Sequence, residues 1–298
     1  MSKQLDELIQ FYRIKQEKQF NDYKNKAILA MTAGKKPPKD KKTLSIVGGQ
    51  SGAGKSRLIT LVKKQFEEGA VVVDFDELRS YHPSYDEINK NYPEIIHRIL
   101  QEDTERVKNE VLDYLISKGY NTIYEGALRN TQGFMEFAKK FKDNGYNIQM
   151  DILAVPKLES YGSTLYRYAA ALMTDNQPRW VEKVFHDASY EGVIRTVEAF
   201  INEGLTDVIN VYVRDGKEPS LIYPSKTQFF NNPVSAITFG RERGRRKAIQ
   251  DYPQKRAIVE QILKAKQPEI LDKLEEWEKL YREELEYLKN LICPTHLD

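Results

Sequence analysis

The chain has a single cysteine, Cys293, so it has no intrachain disulfide. Its four histidines, His82, His97, His186 and His296, stand at no metal-ligand spacing, and no Cys/His zinc site can be assembled from them. A reducing, cytoplasmic setting is the expectation. No apolar run approaches the ~20 residues that span a bilayer. Met1 to Arg13 lacks the continuous apolar stretch of a signal peptide. These absences predict a soluble protein with no membrane partner. Net charge is also scarce: 46 Lys and Arg against 44 Asp and Glu leave +2, too weak a field for a dedicated nucleic-acid binder. Arg241-Glu242-Arg243-Gly244-Arg245-Arg246-Lys247 is a basic run without an aromatic stacking platform, and it reads as a solvated face.

What the sequence does have is periodicity. Leu5, Leu8, Ile9 and Tyr12, then Phe20 and Tyr23, predict one or two amphipathic helices within 3–31. A basic, proline-containing loop from Gly34 to Lys42 follows. From residue 43, apolar strands alternate with helices. Strands are expected at Leu44–Val47, Val71–Asp74, Thr122–Gly126, Ile148–Val155 and Val208–Val213. That alternation predicts an α/β fold: a parallel sheet with helices on both faces, whose ligands bind beyond the carboxyl ends of the strands. After Pro253, the apolar spacing from Ile258 to Leu288 predicts two helices broken at Pro268. The expected division is 1–42 as a helical segment and linker, 43–225 as the α/β domain, and 226–298 as a helical extension.

One motif carries specific chemistry. Gly49-Gln50-Ser51-Gly52-Ala53-Gly54-Lys55-Ser56 follows a strand and opens a helix. Its glycines let successive backbone N–H groups point at phosphate oxygens, and the helix adds its positive N-terminal end. Lys55 is expected on the β- and γ-phosphates and the Ser56 hydroxyl on Mg²⁺, with ATP as co-substrate. Neither Asn-Lys pair is followed by the Asp of a guanine reader, and Asp76-Glu77 lies beyond its strand rather than ending it. That order suits a small-molecule kinase. Asp76 is then the candidate base for an acceptor hydroxyl; its other reading is the N-cap of a helix starting at Leu78.

Three stretches resemble the zeta toxin family, the kinases of bacterial epsilon/zeta toxin–antitoxin systems. They are Asp76-Glu77-Leu78-Arg79-Ser80-Tyr81-His82-Pro83, Gly119-Tyr120-Asn121-Thr122-Ile123-Tyr124-Glu125-Gly126 with Arg129, and Val155-Pro156-Lys157 through Ser160-Tyr161, Thr164 and Arg167-Tyr168. The resemblance implies a P-loop kinase fold and ATP-dependent phosphorylation of the amino-sugar hydroxyl of UDP-N-acetylglucosamine. It also implies a toxin role, and it leaves an antitoxin protein open as partner. By the same resemblance Asp76 takes the hydroxyl proton, Glu125 lies near Mg²⁺ and substrate, and Arg129 belongs to the same substrate-binding motif. Arg167 and Arg179 neutralise the transferring phosphoryl group. Two positions depart from the family: Asn109 stands where it carries glutamate, and Ala127 where it carries threonine. Both family residues help bind the acceptor. The alternatives are therefore a kinase for another hydroxyl (nucleotide, dinucleotide or nucleic-acid end) and a nucleotide-dependent binding protein without transfer. In the family a partner's helix obstructs the nucleotide site. Residues 3–31 either do the same in cis or pack permanently, burying Leu5, Leu8, Ile9 and Tyr12.

Overall fold

The computed structural model describes residues 2–93, 95–174, 178–224 and 230–292. Cys293, His296, Gln177 beside Arg179, and the boundary drawn at 225/226 lie outside these residues. In chain order the elements are α1 (Ser2–Tyr12), α2 (Glu17–Thr32), β1 (Thr43–Gly48), α3 (Lys55–Lys63), β2 (Val71–Val73), α4 (Phe75–Ser80), α5 (Tyr85–Asn91) and α6 (Ile96–Ile99). Then come α7 (Gln101–Lys118), β3 (Thr122–Gly126), α8 (Thr131–Asp143), β4 (Asn147–Ala154), α9 (Lys157–Leu172), α10 (Lys183–Asn202), β5 (Val208–Asp215) and β6 (Glu218–Tyr223). The chain continues with α11 (Pro233–Lys266), a 3₁₀ turn (Pro268–Lys273) and α12 (Leu274–Ile292).

The six strands form one mostly parallel sheet in the order β2-β3-β1-β4-β5-β6. The expected α/β sheet with surrounding helices is present, and each strand read from the sequence is found within about two residues. Among the described residues no helix is long and apolar enough to cross a membrane. The chain falls into two compact units. One comprises 1–46, 62–125 and 137–149, and the other 47–61, 126–136 and 150–298.

In the first unit β2 and β3 run parallel, with Val73 opposite Tyr124. The N-terminal helices belong to this core. Phe20, Tyr23, Ala27 and Met31 line one buried face of α2, which packs on α7 and β2. The Tyr23 hydroxyl donates to the Leu78 carbonyl at 2.9 Å. Tyr12 is buried among Ile88, Ile96, Ile99 and Leu100, with Leu5 and Leu8 packed alongside. A helix buried in this way is part of the fold, in keeping with the permanently packed reading. Burying each large apolar side chain is worth roughly 1.5–3 kcal/mol, and several together match a domain's whole stability of about 5–15 kcal/mol. Truncation before Gly34 is accordingly expected to give an insoluble or unfolded chain. A truncated protein that melts cooperatively at the full-length temperature, with raised activity, would show that the helices are a detachable inhibitor instead.

In the second unit α11 packs along α9 and β5. It begins at Pro233, capped by the Asn232 side chain accepting from Ser235 N, and runs through Pro253. Tertiary packing outweighs the local helix-breaking tendency of that proline. The break at Pro268 is where the spacing puts it, and α12 packs on α11 and α9. Trp277 lies flush against Gly162 of α9, where a Cβ would come within 2.3 Å of the indole. The basic run is not the uniformly solvated face its composition suggests. Arg241 is buried, stacked 3.6 Å from the Tyr190 ring and donating to the Tyr190 carbonyl. Arg245 pairs with Glu242 and Glu284. Strand β6, antiparallel to β5, carries too weak an alternation to be read from sequence.

Candidate active site

The phosphate loop lies in the second unit, between the end of β1 and the start of α3. Gly49 N–H donates to the Gly126 carbonyl at 3.4 Å. Gly52 has φ +77, and a Cβ there would sit 2.0 Å from the Ser160 carbonyl oxygen, so both backbone conformation and space demand glycine. Lys55 Nζ reaches back to the carbonyls of Gly49 at 2.9 Å and Gln50 at 3.3 Å. Ser56, in the first turn of α3, is exposed. This is a curled, N–H-rich loop with a cation on a flexible stem, as phosphate binding requires.

Beneath the loop is a polar network that the motif does not reveal. Gln50 is buried, and its Nε2 donates to the Val155 carbonyl at 2.8 Å and to Ser160 Oγ at 3.1 Å. Ser160 Oγ is 2.9 Å from His186 Nε2, and His186 Nδ1 is 3.3 Å from Asp187 Oδ1. The carboxylate fixes the proton on Nδ1, so Nε2 accepts from the Ser160 hydroxyl. Burial pushes the His186 pKa down to about 4, which keeps the ring neutral at physiological pH. Burial alone would raise Asp187, but hydrogen bonds from Lys183, His186 and Lys157 hold it below its ordinary value. The sequence gives His186 no role; the geometry makes it a support of the phosphate loop.

The first unit holds Asp76, Glu125 and Asn109. Asp74, not Asp76, caps α4: its side chain accepts from Asp76 N at 2.9 Å. The N-cap reading of Asp76 is thereby corrected, because the helix starts at Phe75, three residues earlier than its apolar spacing suggests. Asp76 is exposed in the first turn, and its carboxylate accepts from Arg79, a buried guanidinium one turn on. Glu125 lies one residue past Tyr124, the partner of β2's last residue. Asp76 and Glu125 therefore leave the same edge of two neighbouring parallel strands. His82, one turn beyond Arg79, is structural: Ser84 N donates to its Nδ1 at 3.1 Å, leaving Nε2–H for Asp103 at 3.3 Å. Asn109 is exposed on α7, and its neighbour Glu110 pairs with Lys24 at 3.6 Å.

The remaining candidates are in the second unit and exposed. Arg129 lies 5.0 Å over the Phe185 ring. It follows Leu128, whose φ of +53 costs a non-glycine residue about 1–2 kcal/mol. Arg167 precedes Tyr168 and Arg179 precedes Trp180, and these two rings meet edge to face at 5.1 Å. That contact links the two segments bearing the arginines. Among the described residues no three His, Cys, Asp or Glu gather into a metal-holding group.

Residues 28–228, two thirds of the chain, match the zeta toxin family. The chain belongs to the zeta toxin family. Its similarity to Toxin zeta of Streptococcus agalactiae is 29% identity over 201 residues, 67% of this chain and 70% of that protein. To Toxin PezT of Streptococcus pneumoniae it is 30% over 198 residues, 66% and 77% of the two chains. A solved structure from the PezAT chromosomal toxin–antitoxin system of Streptococcus pneumoniae superposes with a TM-score of 0.70 at 24% identity, covering 83% of this chain and 98% of the other. The zeta toxin match takes in the phosphate loop, Asp76, Glu125, Arg129, Arg167 and Arg179. It omits α1, most of α2 and all of α11 and α12. A P-loop fold of the kinase type follows from this membership.

Proposed function

We propose that this zeta toxin family member is an ATP-dependent kinase that phosphorylates a hydroxyl of a UDP-activated amino sugar, UDP-N-acetylglucosamine foremost, as the cytoplasmic toxin of a toxin–antitoxin pair. The observation that carries the reading is Asp76: an exposed carboxylate just past β2, steadied by buried Arg79 and beside the strand that delivers Glu125. The Asp76 carboxylate takes the proton of the acceptor hydroxyl. That oxygen forms its bond to the γ-phosphorus as the β–γ bridging bond breaks, and ADP leaves. Loop N–H groups and Lys55 hold the phosphates, while Arg167 and Arg179 spread charge over the transferring group. Mg²⁺, when bound, would neutralise charge on the nucleotide phosphates. A hydroxyl and a carboxylate, Ser56 and Glu125, fit its preference for few protein oxygens plus phosphates. Arg129 and Asn109 contact the acceptor. An antitoxin protein is the proposed partner; nucleic acid is not.

A second reading, transfer to a different hydroxyl, rests on Asn109. The neighbouring Glu110 is paired with Lys24, so it does not restore the carboxylate missing at 109. Incubating the chain with Mg-ATP and a panel of UDP-sugars, nucleotides, dinucleotides and nucleic-acid ends decides between the two. A gain of one phosphoryl mass on UDP-N-acetylglucosamine is expected. A gain on another compound selects the second reading, and ATP turnover with no phosphorylated product would remove both.

A further inference from the structure

The segment after β3 is held by one stripe of α10. Phe185, Gly192 and Thr196 are spaced i, i+7 and i+11, which puts them on a single helical face. Thr196 Oγ1 donates to the Leu128 carbonyl at 3.1 Å, so at the 2.8 Å contact between Thr131 and Thr196 it is Thr131 that donates. Gly192 lies so close that a Cβ would come within 2.4 Å of the Leu128 oxygen and 3.1 Å of Arg129 Cα. The Leu128 side chain is fully buried and its backbone left-handed. Phe185 is half exposed, yet its ring lies beneath the Arg129 guanidinium. Arg129 has no carboxylate partner among the described residues. An unneutralised cation, fixed at its backbone by a strained neighbour and at its tip by an aromatic ring, is set to receive an anionic ligand group.

We propose that Phe185, Gly192 and Thr196 are positioning residues that set Arg129 for the acceptor's phosphate. The stripe thereby governs acceptor affinity without touching the acceptor. This rests on the acceptor-binding role given to Arg129 above. Hydroxyl loss in Thr196→Val leaves the buried Leu128 carbonyl without its donor, and Phe185→Leu removes the ring under the guanidinium.

The test is steady-state kinetics of the full chain with Mg-ATP and the acceptor that the panel identifies. In parallel, the rate at which phenylglyoxal labels Arg129 is read by peptide mass spectrometry, with Arg167 as reference. Thr196→Val and Phe185→Leu are expected to raise the acceptor KM by ~10-fold, with kcat and the ATP KM nearly unchanged. Thr196→Ser and Phe185→Tyr restore it. Arg129 is labelled several-fold faster in the two disrupting variants, relative to Arg167. Two results overturn the proposal: unchanged acceptor KM and labelling in variants that melt like the wild type, or ATP and acceptor KM rising together with no rescue. If the wild type phosphorylates no compound, the functional reading falls, and the labelling rates alone decide the positioning.

Discussion

Lys55→Ala is expected to lose at least ~10²–10³-fold in phosphoryl transfer and to bind ATP more weakly, with little change in melting temperature. The side chain donates to carbonyls of its own loop, at Gly49 and Gln50. No packed core depends on it. What the variant removes is a cation able to swing from those carbonyls onto the β- and γ-phosphates. An ADP-release assay together with a nucleotide titration measures both effects. Turnover equal to wild type would falsify the phosphate-loop assignment.

Asp76→Asn separates proton abstraction from architecture. The amide oxygen can still accept from Arg79, and Asp74 still caps α4, so local structure is retained. An amide does not accept the hydroxyl proton, and transfer should fall by ~10²–10⁴-fold while ATP affinity stays near wild type. Single-turnover rates and binding titrations are the measurements. A parallel loss of ATP binding and transfer would make Asp76 a structural or metal-holding residue.

The acceptor side is where function and sequence are least tightly tied. By the resemblance, Asn109 and Ala127 stand where zeta toxins carry a glutamate and a threonine, and Glu110 is engaged by Lys24. The phosphate loop and Asp76 keep the pattern. If Asp76 and the phosphate loop carry out transfer and Asn109 contacts the acceptor, as proposed, the chain should differ from other zeta toxins in acceptor KM rather than in nucleotide handling.

Strand and helix order was legible because it is local. Apolar runs at Val71–Val73 and Ile148–Ala154, and three-to-four spacing at Val107, Val111 and Leu115, each report the burial of one short segment. The phosphate loop was legible for the same reason. Eight consecutive residues contain the glycines, the cation and the hydroxyl, and Gly52 shows in its positive φ and tight contact why the residue type is fixed. Asp76 could be read from sequence as base or as N-cap, because an acid near a helix start suits either; the observed bond from Asp76 N to Asp74 gives the cap to Asp74. The other features depend on partners far away in the chain. Arg241 looks solvated until Tyr190, 51 residues earlier, covers it. His186 has no meaning without Ser160, which in turn holds Gln50, 110 residues away. Pro253 argues against the helix that contains it, because the packing of α11 on α9 and β5 is not written in its neighbours. The spacing along one segment encodes which face it buries, but the residue that meets that face is chosen by the path of the whole chain.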